Sequence, residues 1–129
     1  MVRLDKGDEV VKSLMDFVTR EGIRLASVSG LGAVTDAVLG LFDVHDKKYY
    51  SQEFKEVYEV TSFVGNISTM KGEPYLHLHM NIADGEQKAH GGHVNRATIA
   101  VTGEIFVHVL DGAIDRAYSE EIGINLIKF

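Results

Sequence analysis

Apolar and polar residues alternate from Leu76 to Ile82 (Leu-His-Leu-His-Met-Asn-Ile), the period-two pattern of a strand with one buried face and one open face. Successive strand side chains point to opposite sides. The pattern therefore predicts Leu76, Leu78 and Met80 on the core face, with His77 and His79 together on the other. Asp84-Gly85 marks a turn, after which the chain returns along the strand and brings Gly91-Gly92-His93 beside the histidine pair. A different period runs near the N-terminus. Val10, Val11, Leu14, Phe17 and Val18 recur at helical spacing and predict one amphipathic helix from Asp8 to Arg20. Asp8 is its expected cap, Glu9 suits the dipole of its first turn, and Gly22 is its expected stop.

The remaining segments read as strands: Val2 to Leu4, Ile23 to Ser29, Ala37 to Phe42, a hairpin from Lys48 to Ser51 and Glu53 to Val60, and a central strand from Thr61 to Ser68. Lys71 to Pro74 reads as a turn into the histidine strand. Ala97 to Leu110 follows as a long strand, and shorter ones lie around Ile114 to Tyr118 and Ile124 to Lys128. Gly30-Leu31-Gly32 predicts a bend or bulge rather than a phosphate loop, because no third glycine stands at the fingerprint spacing and a strand follows. Gly103 predicts a second bulge that would re-aim Glu104. One helix with many antiparallel strands defines the α+β class, a mainly antiparallel sheet with the N-terminal helix packed on it. A single helix covers only one face, so symmetric assembly is the expected way to cover exposed strand surface.

Composition narrows the picture. With 129 residues, 45% hydrophobic and 25% charged, the chain reads as a single globular domain over residues 1–129. The absence of cysteine excludes disulfides and thiolate ligands, so a metal would have to be held by imidazole and oxygen. The 13 basic residues face 19 acidic ones, for a net charge of −6, and no basic run exists. That balance argues against duplex DNA binding by this chain alone. No secretory segment and no run of membrane-spanning length is present, so a cytoplasmic protein without membrane contact is expected.

The candidate chemistry lies in the histidines. Four of the six fall between His77 and His93. Side chains two apart on a strand stand about 7 Å from one another and can aim their nitrogens at one point. A pair of strand histidines is often merely solvated, but His93 would complete the three-ligand set of an open metal site. All-imidazole ligation suits zinc or another divalent transition metal. His90 is a weaker candidate, since it precedes the glycines in a polar loop, while Gly91 and Gly92 would let backbone approach the site. Asn66, Glu59 and Glu104 are candidates for a supporting role, and His108, between two valines, reads as structural. His77-x-His79 followed by Asp84 and Gly91 comes close to the first motif of a cupin, with Asp in place of the usual Glu. The second cupin motif is missing.

At these residues the chain resembles the PPC domain, the plant and prokaryote conserved domain. The motifs are Leu4-x-x-Gly7, Ser27-x-Ser29-Gly30-Leu31-Gly32-Ala33-Val34, Glu59-Val60, Gly65-Asn66-Ile67-Ser68, Leu76-His77-Leu78-His79, Gly91-Gly92-His93 and Gly103-Glu104-Ile105-Phe106. They occur in the family's order and span essentially the whole chain. The resemblance implies an α+β homotrimer in which His77, His79 and His93 bind a metal, usually zinc. Plant members carry an Arg-Gly-Arg-Pro hook for AT-rich DNA, and this sequence has none. Three function classes follow: a metal-binding trimeric sensor or assembly module, a small metal-dependent enzyme acting through a metal-bound water, and a DNA-associated regulator. The fourth position at the metal would take water or a small anionic ligand.

Overall fold

Three strands are much longer than the hydrophobic pattern suggests, and their length bends the sheet back on itself. A computed structural model describes residues 1–129. In chain order the elements are β1 (Val2–Asp5), α1 (Val10–Arg20), β2 (Ala26–Asp43), β3 (Lys48–Phe54), β4 (Tyr58–Met70), β5 (Glu73–Ala83), β6 (Ala89–Val109), β7 (Asp115–Tyr118) and β8 (Asn125–Lys128). Strand β2 merges the two segments predicted on either side of Gly30-Leu31-Gly32. The bulge expected there is present, as a register shift between Gly30 and Gly32 against β4. Gly32 has φ +152°, and a Cβ on it would run into the Thr102 carbonyl of β6, so only glycine fits.

The strand order is β3-β2-β6-β5-β4-β7-β8, with β1 added beside β6. Because β2 pairs with β4 as well as with β6, the pairings β2–β6–β5–β4–β2 close into a ring. The pairing is antiparallel except between β4 and β7, which run parallel. Inside, Leu78, Met80 and Ile82 of β5 join Phe63 and Ile67 of β4, Ile99 and Ile105 of β6, and Val10, Leu14 and Val18 of α1 in one apolar core. The alternation along β5 thus sends its apolar residues inward, as the sequence predicts. No helix is long and apolar enough to cross a membrane.

Three local expectations need correction. The helix cap is Glu9, whose carboxylate accepts from the N–H groups of Val11 (3.2 Å) and Lys12 (2.7 Å). The longer side chain also takes the Ala97 N–H (3.1 Å), tying the helix start to β6, while Asp8 turns away to accept from the Asp5 N–H (2.8 Å). Secondly, His90 stands in strand and not in a polar loop, because Ala89 to His93 pairs with β5 on one side and, at His93, with Gly40 of β2 on the other. Tertiary pairing overrides the poor strand propensity of glycine here. A Cβ on Gly92 would stand 2.6 Å from the Gly40 carbonyl oxygen, so the close approach is to strand β2. Thirdly, the irregularity expected at Gly103 is present against β2, between Ile99 and Gly103, but β1 pairs with Gly103 and Glu104 in regular register, so Glu104 is not re-aimed. Glu104 is simply exposed to solvent.

Candidate metal centre

The hairpin between β5 and β6 sets the site. Asp84 pins it: Oδ1 accepts from the backbone N–H groups of Glu86 (2.9 Å) and Lys88 (3.0 Å), and the Gln87 N–H donates to the Asp84 carbonyl (2.9 Å). The resulting register places His93 directly opposite His79. Since His77 lies two residues before His79 on the same face, three imidazoles converge from two adjacent strands. Their ring centroids are 5.2 Å (His77–His79), 5.4 Å (His77–His93) and 5.6 Å (His79–His93) apart.

One nitrogen from each ring lies within 4.8 Å of the others. The Nε2 atoms of His77 and His79 are 3.3 Å apart. That spacing matches the edge, about 3.3 Å, of a tetrahedron built on metal–nitrogen bonds of about 2.0–2.1 Å. Burial lowers the pKa of His77 to about 4, with the Arg116 charge and then His93 and His79 adding to the shift. Burial, followed by His79, also lowers that of His93. Both rings are therefore neutral near pH 7, with a lone pair to offer, which is the form a metal requires. The donor set fits a divalent transition ion with three protein ligands and an open position.

The histidines open onto a cavity of about 510 Å³. Its wall includes Phe42, Tyr49, Tyr75, Arg116, Ile124 and Asn125. Of these, Arg116 is the residue that sequence reasoning missed. It lies on β7 and is only 7% exposed. Its Nε donates to Ser68 Oγ (2.8 Å), Nη2 to Asn66 Oδ1 (2.9 Å) and Nη1 to the Asn125 carbonyl (3.2 Å). The guanidinium also stacks 4.8 Å from the centre of the Tyr75 ring. Nothing local in the sequence marks it, because its side-chain partners Ser68 and Asn66 stand 48 and 50 residues away. Tyr49 edges onto His93 at 6.2 Å and donates its hydroxyl to Asn95 Oδ1 (2.6 Å); burial raises its pKa, partly offset by that bond.

The other predicted residues separate. Asn66 is beside the site, opposite His77 in register, and its side chain holds Arg116 rather than a histidine. His90 pairs with Ile82 and so shares the core-side face, opposite to His79. It packs against Phe54 at 5.1 Å and meets Asp84 Oδ2 at 3.3 Å. With Asp84 engaged there and in the hairpin, no carboxylate joins the three histidines, and the cupin arrangement falls. Glu59 pairs with Ala33 and Ala83 at the far end of β4, and Glu104 pairs with Arg3 and Leu31. Eleven positions along β6 separate Glu104 from His93, about 35 Å of extended chain. Neither supports the site. His108 is exposed and stacks on Phe106 at 6.1 Å.

A bent, mainly antiparallel sheet with one helix and an open three-histidine cluster defines the class. The chain belongs to the Plants and Prokaryotes Conserved (PCC) domain family, whose model matches residues 1–111. Among solved structures it is similar to a metal-containing protein of Archaeoglobus fulgidus, at 35% identity over 99% of this chain and 91% of that one, TM-score 0.91. A plant- and prokaryote-conserved (PPC) protein of Pyrococcus horikoshii matches at 29% identity over 99% and 89% of the two chains, TM-score 0.91. A protein of Bacteroides thetaiotaomicron, described as a candidate DNA-binding protein, matches at 32% identity over 98% and 89%, TM-score 0.96. No curated protein matches the chain.

Proposed function

We propose that this protein is a homotrimeric, cytoplasmic metal-binding module that senses a small ligand or organises an assembly, holding one zinc per chain on His77, His79 and His93. The observation that carries this reading is the convergence of three imidazoles, one nitrogen of each within 4.8 Å of the others, with the Nε2 atoms of His77 and His79 3.3 Å apart. The metal-containing Archaeoglobus relative supports it. A bound divalent ion supplies Lewis acidity at an open position. Around it, Asn66 and Ser68 fix Arg116 beside the histidines, and Tyr49 packs edge-on against His93. The open cavity would also suit a small metal-dependent enzyme, but its wall supplies no nucleophile–base pair.

Assembly is supported by surface area. The chain exposes 7843 Å². A compact 14.2 kDa monomer would expose about 6,800 Å². Exposed Leu31, Val64, Val101 and Phe106 contribute to the excess. The count of three subunits rests on the family resemblance.

Metal analysis of the purified chain tests the centre. We expect one zinc per chain, lost on His79→Ala; substoichiometric metal that ignores this substitution would sink the reading. Duplex DNA is not the expected direct ligand, because a net charge of −6 repels phosphate at long range. A gel shift at about 0.15 M salt, where the Debye length is about 8 Å, checks this. Submicromolar binding to AT-rich or GC-rich duplex would put the regulator reading first.

A further inference from the structure

The three histidines share a cavity with Arg116, whose positive charge meets no counter-ion there. We propose that this cavity binds a small organic carboxylate, its carboxylate held by Arg116 and its apolar part resting against Phe42, Tyr75 and Ile124. The inference rests on the metal-centre reading and names the ligand class of that site.

Arg116 carries the argument. A guanidinium on a residue only 7% exposed is costly unless it meets an opposite charge or a full set of acceptors. Here its three partners, Ser68, Asn66 and the Asn125 carbonyl, are all neutral. The adjacent carboxylate is no help, since Asp115 Oδ1 accepts from the Thr69 hydroxyl (2.8 Å). Of the five N–H groups of the side chain three are used. One remains on each terminal nitrogen, the number a bidentate carboxylate takes up.

The wall of the cavity points the same way. The chain contains 19 acidic residues, yet none lines the cavity. A divalent ion on the histidines would add to the positive charge of Arg116, so the field inside selects an anion. Leu41, Phe42, Tyr75 and Ile124 give the same wall an apolar stretch, which suits an anion with a hydrocarbon or aromatic body rather than a bare inorganic one. The volume, about 510 Å³, is that of a small-molecule site. Residues 115 to 125, which supply Arg116, Ile124 and Asn125, lie beyond the part matched by the family model. They add to the metal centre a feature that residues 1–111 alone do not hold.

The competing account makes Arg116 a mere latch that ties β7 to β4. Asn66→Asp separates the two. It places a carboxylate where Asn66 Oδ1 now sits, 2.9 Å from Nη2. A latch would gain from that ion pair, whereas an anion site would be neutralised from within. The experiment is calorimetric titration of the zinc-loaded full chain, in a buffer free of carboxylates, with benzoate and with its neutral analogue benzamide. We expect saturable binding of benzoate, one per chain, and none of benzamide. Asn66→Asp, with its zinc content measured alongside, should weaken benzoate at least about tenfold, the scale of a charge-assisted hydrogen bond. No benzoate binding to zinc-replete wild type, or equal binding of benzoate and benzamide, overturns the proposal and leaves the metal centre standing. Unchanged affinity in a folded Asn66→Asp variant overturns it too. Benzoate binding to a chain that takes up no zinc would sustain the Arg116 site and remove the metal reading instead.

Discussion

The long strands β2, β4 and β6 build a cavity toward each end, and the two differ in almost every respect. At the end marked by Gly40 and His93, polar side chains from β4, β5, β6 and β7 are fixed by hydrogen bonds around three imidazoles and a guanidinium. Toward the end marked by Gly32 and Gly103, a shallower hollow of about 360 Å³ is lined by Leu31, Ala33, Val60 and Val101, with Glu59 at its side. Leu31 and Val101 are 58% and 64% exposed there. Organised polar groups on one side and uncovered apolar ones on the other imply different partners. The first has the donor set for a metal ion and a cavity beside it. The second lacks organised chemistry and gains most from being covered by protein.

The largest effect should come from charging the apolar end. Val101→Glu with Leu31→Glu would bury two unpaired carboxylates in any interface formed there, which costs far more than the lost apolar contact. We expect sedimentation equilibrium to change from a trimer to the 14.2 kDa chain at micromolar concentration, with zinc still bound one per chain. Loss of zinc together with assembly would break the comparison, because the two ends would then be coupled. A wild-type chain that already sediments at 14.2 kDa would remove the assembly reading altogether.

The two ends also differed in how well the sequence revealed them. His77, His79 and His93 were legible because strand alternation and a turn signal are local properties, and together they put three rings on one face. The core face of β5 was legible for the same reason. Arg116 was not, since its environment is made by Ser68 and Asn66 on another strand. Glu59 and Glu104 misled in the opposite sense: both lie in recognisable motifs, but the site needs nearness in space, and β4 and β6 carry them to the far end. His90 shows the cost of a loop assignment. Once Ala89 to His93 is strand, its pairing with Ile82 fixes it on the opposite face from His93.

The smallest effect, and one confined to the hairpin that aligns the metal site, is expected for Asp84→Asn. Asp84 begins the β5–β6 turn, and its carboxyl is held below the ordinary value of 3.8, first by the Lys88 backbone N–H, with His90 and the Glu86 N–H adding and desolvation opposing. A carboxyl that is easier to ionise in the folded chain than in the unfolded one stabilises the fold wherever it is ionised in both. That stabilisation is fully present above pH about 4 and is lost as the pH falls through the folded-state value. Asparagine keeps an acceptor oxygen but not the charge. The variant should therefore melt slightly below the wild type near pH 7, and the gap should shrink once the pH drops under about 4. Zinc content at neutral pH should not change, because the pairing of His79 with His93 belongs to the strand ladder and not to the turn alone. Melting curves of both proteins across this range decide it. A gap that stays constant from pH 7 into acid would show that Asp84 acts by shape alone, and loss of zinc in the variant would show that the turn, rather than the ladder, positions His93.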